Sequence, residues 1–579
     1  MPIHSPFLKK TSPSGYSSVP ARFQQKLLLA LGSGFGMACP FVVPHTWFLG
    51  WLALAPLWIL ALEDFSLPVL GHRSPDPPTQ INPYLELEEH TISRSVRTRS
   101  FPFAIFFALV WGIGCHGLSL FWIRDLHPLT WMGVPWATSV VIMLLCWILV
   151  TLYGAAIAIT WTLLFRFILQ WISRFKSFSK SFISPSSESI LLILFRILIG
   201  TTLWCLLEAL WSFSPLWWTS LSVTQSPDNL LALHLGQISG PTTLTAALVA
   251  VNGLLAEAWR HRQAMRQWCI GGAVAVFAIA HLLGFVLYAQ PLLDSPQSAF
   301  TIGIVQGNVP TRIKLFEEGT QLALERYTQG YLTLADQGVD AVLTPEGAFP
   351  WLWLRRPRQD RNEFYQAIRS RGIPAWVGTV GMRGEGITQT LFSLAGDGAI
   401  VGEYDKIKLV PLGEYIPFQE VLGQFINRLS PVEASMIPGQ PHQRMETPVG
   451  RAIAAICFDS AFSWLFRDQA AAGGAFIITA SNNDPYGAMM MAQHHAQDVM
   501  RAVESDRWTV RATNTGFSGV VDPHGQTQWR SGFRTYETHA HRIHRRNTKT
   551  LYVRWGDWLL PVLVVTTLCL GLCILNPTQ

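Results

Sequence analysis

The stretch Arg451-Ala-Ile-Ala-Ala-Ile-Cys-Phe-Asp-Ser460 decides our interpretation of the fold. It is a short run of small and β-branched apolar residues between charges, which is typical of a buried strand over 452–457. Its thiol, Cys457, would lie at the carboxyl end of that strand, where open α/β sheets place their chemistry. The other seven of the eight cysteines lie in long apolar segments. Cys457 is either catalytic or an incidental core residue, and composition alone favours the second.

The overall composition indicates a membrane protein of more than one domain. The 579 residues are 49% apolar and only 14% charged, against roughly 25% charged in a typical soluble protein. The net charge of +6 is small, and its basic residues precede membrane segments, which disfavours a nucleic-acid surface. The cysteines show no metal spacing, and His494 and His495 have no ligand partners, so we expect neither a metal nor a cofactor.

Eight apolar segments are candidates for membrane helices, since a spanning helix needs about 20 mainly apolar residues. They are 27–43, 46–62, 101–122, 138–164, 189–211, 241–258, 268–289 and 557–575. Prolines interrupt the first two, which would form a tight hairpin or one broken helix. Within the fifth segment, Glu208 is either a functional carboxylate or a helix-packing group.

The loops between these segments predict the orientation of the chain. The loops 63–100, 166–188 and 259–267 are basic, whereas the loop from about 212 to 240 has no Lys or Arg. The positive-inside rule then places both termini in the cytoplasm. We expect four regions: a tail at 1–25, a bundle of about seven helices at 26–290, an extracytoplasmic domain at 291–555 and a last helix at 556–579.

The extracytoplasmic region predicts an α/β domain. Strand candidates are 300–306, 340–345, 374–380, 390–395, 399–403, 452–457, 475–480, 507–513 and 517–521. Amphipathic helices fit 317–336, 359–371, 461–471 and 489–505. Because several strands lack a helix between them, we expect two mixed sheets with helices outside, an αββα sandwich.

Two upstream segments offer partners for the thiol, which needs a base or a positive neighbour to act as a nucleophile. Glu346 follows the strand that ends in Leu343-Thr-Pro345, and a solvated loop carboxylate is the alternative interpretation. Lys406 and Glu414 lie in a segment rich in Pro, Gly and charge, Tyr404-Asp-Lys-Ile-Lys-Leu-Val-Pro-Leu-Gly-Glu-Tyr-Ile-Pro417.

The order Glu346, Lys406, Cys457 on an α/β sandwich resembles the triad of the nitrilase superfamily, which has the carbon-nitrogen hydrolase fold. The surrounding motifs resemble the apolipoprotein N-acyltransferase family over nearly the whole chain. Besides the segment ending at Pro417, they are Ile304-Val-Gln-Gly-Asn-Val-Pro310, Met500-Arg-Ala-Val-Glu504, Arg511-Ala-Thr-Asn-Thr-Gly-Phe517 and Tyr552-Val-Arg-Trp-Gly-Asp557.

This resemblance implies a function and a role for each matching residue. Glu346 would be the general base, Cys457 the nucleophile and Lys406 the oxyanion stabiliser, supported by Glu414 and by the N–H of Phe458. An acyl chain would pass from a phospholipid, through a cysteine thioester, to the amine of a diacylglyceryl lipoprotein. The implied location is the bacterial inner membrane, multi-pass, with the catalytic domain in the periplasm. A tethered amidase and an inactive binding or transport protein are the alternatives.

The chain departs from the family pattern at three places. Phe458-Asp459 stands where the family commonly has Tyr-Glu, and Leu315 where it uses a Trp. Asn482-Asn-Asp-Pro-Tyr486 replaces an Asn-Asp-x-Trp-Phe stretch, which introduces Pro485. We expect these departures to affect acceptor handling more than acylation. Two apolar segments, Phe349–Leu354 and 415–438, are candidates for a lipid gate and a lid, and a buried loop is the alternative for the first.

Overall fold

The computed structural model shows a helical N-terminal region followed by a domain with two sheets. The residues it describes are 18–63, 101–178, 190–352, 362–416 and 436–575. The first part of the predicted tail and most of the predicted basic loop at 63–100 therefore lie outside the described residues.

The helical region contains nine described helices. In chain order they are α1 Ser18–Val42, α2 Ala55–Leu62, α3 Phe101–Ser119, α4 Trp136–Phe178, α5 Ile190–Trp211, α6 Leu230–Leu233, α7 Gly236–Ser239, α8 Pro241–Arg260 and α9 Gln263–Tyr288. Six helices of the described chain, α1, α3, α4, α5, α8 and α9, are long and apolar enough to cross a membrane. The predicted segment 46–62 is instead a 3-10 turn, Trp47–Trp51, followed by the short α2. Because α1 contacts both, the first two segments form a hairpin.

The buried Glu208 connects three parts of the helical region. Its carboxylate accepts hydrogen bonds from the hydroxyls of Ser220 and Thr245, at 2.8 and 2.9 Å, and from the N–H of Leu221 at 2.8 Å. Since these bonds join α5 to the following loop and to α8, they support the helix-packing interpretation of Glu208.

The second region alternates strands with helices. Its strands are β1 Ala299–Gln306, β2 Ala341–Leu343, β3 Phe349–Leu352, β4 Ala375–Arg383, β5 Gly386–Leu394, β6 Ile400–Asp405, β7 Ala452–Ile456, β8 Phe476–Ser481, β9 Thr509–Thr513, β10 Gly519–Val521, β11 Thr527–Arg530 and β12 Glu537–His544. Its helices are α10 Thr311–Lys314, α11 Glu317–Asp336, α12 Glu363–Arg371, α13 Ser463–Ala471, α14 Ala488–Ser505, α15 Leu551–Trp555 and the last helix, α16 Leu559–Leu575. At 17 residues, α16 is shorter than the predicted segment 557–575.

These strands form two packed sheets. One has the order β12-β1-β2-β4-β5-β6, with β3 also paired to β4, and the other has the order β11-β10-β9-β8-β7. The β1-β2-β4 and β7-β8-β9 neighbours are parallel, so their carboxyl ends lie at one edge of each sheet. That edge is where the predicted site residues lie.

The strand β7 shows how the two sheets are held together. Its alternate residues Ala452, Ala454 and Ile456 pack between the sheets, as expected from the two-residue period of a strand. Its residues Ile453 and Ala455 face the opposite way, in a cluster with α13, α14 and the membrane helices. A third cluster joins α11 and α12 to the outer face of the first sheet. The fold is therefore the expected αββα sandwich.

The nine predicted strands are all present, with ends shifted by a few residues, and the structure adds β3, β11 and β12. The strands β11 and β12 are polar and mostly half-exposed, so they lack the apolar pattern that identifies a strand. The predicted helix at 359–371 begins at Glu363, because the Asn362 side chain caps it by accepting the N–H groups of Phe364 and Tyr365.

The helix α14 attaches the sandwich to the membrane helices. Its Gln493 donates hydrogen bonds to the carbonyls of Phe41 and Ser119, at 3.2 and 2.8 Å. The amide oxygen of Gln493 accepts the indole N–H of Trp218 at 2.7 Å. All these atoms are buried, so the contact is a fixed joint between the two regions.

Candidate active site

The thiol-bearing residue lies in an unusual backbone conformation. The strand β7 ends at Ile456, and Cys457 begins a 3-10 turn, Cys457–Ala461, with a φ of 49°. The predicted strand over 452–457 is therefore one residue too long. Positive φ is uncommon outside glycine, and such strain is found where a structure holds a functional side chain in a set position.

Asp459 holds the start of this turn. Its carboxylate accepts the N–H groups of Ile456 and Lys408, at 3.1 and 2.8 Å, and the hydroxyl of Tyr404 at 3.1 Å. The side chain is fully buried, and burial raises the pKa of Asp459 to about 6. Asp459 thus uses its hydrogen bonds within the protein, and the effect of this departure from the family pattern on acceptor handling stays a prediction.

His494 supports the same turn from behind. One ring nitrogen, Nε2, lies 2.8 Å from the carbonyl oxygen of Cys457, and Arg511 Nη1 lies 3.0 Å from the other nitrogen. Since a guanidinium only donates, Nδ1 is the acceptor and Nε2–H donates to Cys457. Burial and the charge of Arg511 lower the pKa of His494 to about 3, so the ring is neutral. His494 is thus a positioning residue and not a base for the thiol.

Arg511 is the centre of a buried network below the turn. It pairs with the carboxylate of Asp498 and donates to the hydroxyls of Ser481 and Ser460, at 2.8 and 3.1 Å. Arg511 and Asp498 are 2% and 1% exposed. Burial would raise the pKa of Asp498, but the guanidinium lowers it below its ordinary value, so the pair stays ionised.

Lys406 lies between two carboxylates. It directly follows β6, and its ammonium donates to Glu346 at 2.8 Å and to Glu414 at 2.5 Å. The side chain is 1% exposed. Burial would lower the pKa of Lys406, but the two carboxylates raise it well above its ordinary value, so the ammonium is a permanent positive charge.

Glu346 connects this cation to the loop that faces the thiol. It follows β2 by way of Pro345, and its second oxygen accepts the N–H of Asn482 at 2.8 Å. The next residue, Asn483, has its amide oxygen 3.7 Å from Cys457 Sγ. The structure therefore brings Glu346, Lys406 and Cys457 into one buried site, with Asn482 and Asn483 between them.

The thiol is neutral in this resting site. Burial and the negative charge of Glu346 raise the pKa of Cys457, and Lys406 offsets only part of that rise. A neutral thiol is a poor nucleophile, so the site needs a base that removes its proton as the sulfur attacks.

An aromatic wall joins the site to the membrane helices. The ring of Phe458 stacks on Trp218 with centroids 5.9 Å apart, and Trp122 meets Tyr486 edge-on at 5.1 Å. Both tryptophans belong to the helical region. The N–H of Phe458 is in the first turn of the 3-10 helix, where N–H groups lack helical acceptors. It therefore has no acceptor within its own turn.

The two predicted apolar segments are only partly described. Phe349 begins β3 and is fully buried, which favours the buried interpretation for that residue. Residues 353–354 of the first segment and 417–435 of the second lie outside the described residues. The gate and lid interpretations remain predictions.

Sequence reasoning missed two parts of this site. The amides at Asn482 and Asn483 were seen only as a departure from a family pattern, although they connect Glu346 to the thiol. Lys314 was missed completely, and it is the one buried ammonium besides Lys406 in the described chain. Lys314 follows closely after the motif that ends at Pro310, and this position in the sequence could have indicated that it lies near the site.

Glu414→Gln is expected to change how stability depends on pH. Burial raises the pKa of Glu414 from 4.5 to about 7, although Lys406 lowers it. A carboxyl with a raised folded-state pKa stabilises the fold below its ordinary pKa and loses that effect as pH rises through the folded value. Between about pH 4.5 and pH 7.5 the wild type should lose roughly 5 °C of Tm relative to Glu414→Gln.

Thermal unfolding in detergent across that pH range provides the measurement. The matched control is Glu385→Gln, which changes an exposed glutamate in the turn between β4 and β5 and should follow the wild-type profile. A constant Tm difference between wild type and Glu414→Gln would contradict the assignment of this titration to Glu414.

Two family models match the chain, one in each of its two regions. Residues 301–549 match the carbon-nitrogen hydrolase family, and residues 89–254 match the apolipoprotein N-acyltransferase N-terminal domain. An apolipoprotein N-acyltransferase of Nostoc sp. is 47% identical over 90% of this chain and 93% of its own length. One of Synechocystis sp. is 41% identical over 90% of this chain and 96% of its own. An amidase of the nitrilase superfamily from Nesterenkonia is 20% identical over 45% of this chain and 97% of its own, with a TM-score of 0.34.

Proposed function

The chain belongs to the apolipoprotein N-acyltransferase family, and from this premise we propose how it transfers an acyl chain. The acyl chain leaves a phospholipid, forms a thioester on Cys457 and passes to the N-terminal amine of a diacylglyceryl lipoprotein. The observation that carries the proposal is the buried cluster in which Lys406 bonds to Glu346 beside the strained Cys457.

The first half of the reaction acylates the thiol. Glu346 takes the proton from Sγ while the sulfur attacks the ester carbonyl carbon, and the resulting oxyanion is held by Lys406 and the Phe458 N–H. As the carbon–oxygen bond of the ester breaks, Glu346 gives the proton to the leaving glycerol oxygen. The products are a thioester on Cys457 and a lysophospholipid.

The second half transfers the acyl chain to nitrogen. The neutral amine of the acceptor attacks the thioester carbonyl and loses a proton to Glu346. The carbon–sulfur bond breaks, and Glu346 returns the proton to Sγ. The sum is phospholipid plus amine giving lysophospholipid plus amide, with the enzyme restored.

Family membership makes the chain an acyltransferase and sets aside the alternative of an inactive binding or transport protein. The aromatic wall between the thiol and the helical region favours a lipid donor over the small amide of the amidase alternative. An apolar acyl chain attached to the sulfur would pack against these aromatic rings, and its transfer to an amine does not consume water.

The family and the six long apolar helices indicate a multi-pass protein of the inner membrane. We place the catalytic domain, at about 291–555, on the periplasmic side, because the loops predicted to be cytoplasmic are the basic ones. The tail at 1–25, the bundle at 26–290 and the last helix at 556–579 complete the proposed organisation.

Cys457→Ala is expected to abolish acylation of the protein, because Cys457 is the thiol that lies in the buried site with Glu346 and Lys406. The test is intact-mass analysis of detergent-purified protein after incubation with a defined phospholipid. Wild type and the control Cys569→Ala, which changes an exposed thiol of α16, should both gain a hydroxylamine-labile acyl mass. A diacylglyceryl peptide with a free amine should then remove that mass and become acylated.

Two results would overturn the proposal. An acyl mass on Cys457→Ala would place the thioester elsewhere. A thioester that is lost to water at the same rate with and without the peptide would favour the amidase alternative.

A further inference from the structure

A second buried ammonium lies next to the catalytic cluster. Lys314 ends the short helix α10 and is 3% exposed. Among the residues that the structure describes, its Nζ has no hydrogen-bond partner. A buried charge without a partner costs several kcal/mol, and native structures keep such groups for a reason.

The surroundings of α10 place Lys314 beside the proposed active site. The N–H of Thr311 donates to the carboxylate of Asp484 at 2.6 Å, and the side-chain amide of Asn482 donates to the Thr311 hydroxyl at 3.3 Å. The N–H of the same Asn482 bonds to Glu346. The helix α10 therefore packs on the loop that joins the general base to the thiol.

Two carboxylates affect the pKa of Lys314 by their charge, although neither forms a hydrogen bond with it. Burial lowers the pKa of Lys314 to about 8, and the charges of Glu346 and Asp484 keep it from falling further. The oxygens of Glu346 are occupied by Lys406 and by the Asn482 N–H. The ammonium thus remains mostly charged near neutral pH, and none of its three N–H donors has a partner in the part of the chain that the structure describes.

The proposed reaction brings one permanent anion to this site. The transient oxyanion already has two donors, Lys406 and the Phe458 N–H, and the acceptor contributes an amine. The phosphodiester of the donor lipid is the remaining anionic group. Leu315 and Phe316, which follow Lys314 in the chain, are 50% and 62% exposed, so an apolar surface begins directly after the short helix that carries the buried cation, as a lipid headgroup and its chains require.

We propose that Lys314 binds the phosphate of the phospholipid donor and so makes the enzyme selective for esters that carry this phosphate. The inference rests on the proposed function, because it assigns a subsite for the donor of that reaction. Lys314 would act in donor binding and orientation, while Lys406 stabilises the transition state.

The test compares two donors that share their acyl chains, phosphatidylglycerol and diacylglycerol, which lacks the phosphate. For Lys314→Met we expect kcat/KM for acylation of Cys457 by phosphatidylglycerol to fall by about 10- to 100-fold, the range of a charge-assisted hydrogen bond. The loss should appear mainly in KM. Acylation by diacylglycerol should be unchanged, and Lys314→Arg should retain most of the preference for the phosphate.

The control is Arg312→Met, which removes an exposed cation from the same short helix and should leave both donors unaffected. Equal losses with both donors, or no loss with either, would overturn the inference. A wild-type protein that forms no thioester with phosphatidylglycerol would instead overturn the proposed function, so the two failures are distinguishable. Removing an unpartnered buried charge is expected to leave the fold intact.

Discussion

Lys406→Met should lower the rate of thioester formation on Cys457 by about 10³-fold or more, because loss of a single oxyanion donor already costs 10²- to 10³-fold. Here the loss has a second component. Lys406 is the shared partner of Glu346 and Glu414, and without it the two buried carboxylates would hold a proton between them. A Glu346 that is already protonated is unable to accept the proton of the thiol.

The measurement is the single-turnover rate of acyl-mass appearance on the purified protein. Lys408→Met is a matched control two residues away. The Lys408 ammonium lies 4.4 Å from the ring centroid of Phe462 and is half-buried, so it should keep close to the wild-type rate. Equal rates for Lys406→Met and wild type would remove Lys406 from the mechanism.

Arg511→Met is expected to destabilise the sandwich strongly. It leaves the Asp498 carboxylate, which is 1% exposed, without its counter-ion. Breaking one side of a buried ion pair costs about 3–5 kcal/mol, which for a domain of this size lowers Tm by roughly 10 °C. It also removes the hydrogen bond that sets the tautomer of His494, so the turn at Cys457 loses its support.

Thermal unfolding of the detergent-solubilised variants tests this expectation. Arg542→Met, at an exposed arginine on β12, should stay within about 0.5 kcal/mol of wild type. The double variant Arg511→Met/Asp498→Leu should recover part of the lost stability, since it removes the uncompensated charge. A double variant as unstable as Arg511→Met would mean that packing, and not charge, sets the cost.

The sequence predicted the fold well where its apolar pattern was strong. β7 and β8 are fully buried runs of mainly apolar residues, and α11 was predicted with its observed ends at Glu317 and Asp336. A strand that is buried on both faces has apolar residues at nearly every position, which is recognisable in a single sequence. The polar strands β11 and β12 leave none, because their position depends on pairing with partners far along the chain.

The candidate site also has a part that the sequence predicted and a part that it did not. Glu346, Lys406 and Cys457 each follow a strand, so their convergence at the carboxyl ends of strands from the two packed sheets was predictable from strand positions. The roles of Asp459 and His494 were not predictable, because both depend on hydrogen bonds to backbone atoms on other elements. A sequence pattern shows which side chains are polar, but it does not show which backbone groups they will meet.

The fixed joint at α14 has a consequence for kinetics. The helix that holds Gln493 against the helical region also carries His494, which bonds to the carbonyl of Cys457, so the nucleophile is attached closely to the helices that are apolar enough to cross a membrane. Both proposed substrates are anchored in the membrane and would reach the site by lateral diffusion in two dimensions. Turnover should therefore follow the mole fraction of each substrate in the bilayer, and dilution of the whole suspension at constant lipid composition should leave it unchanged.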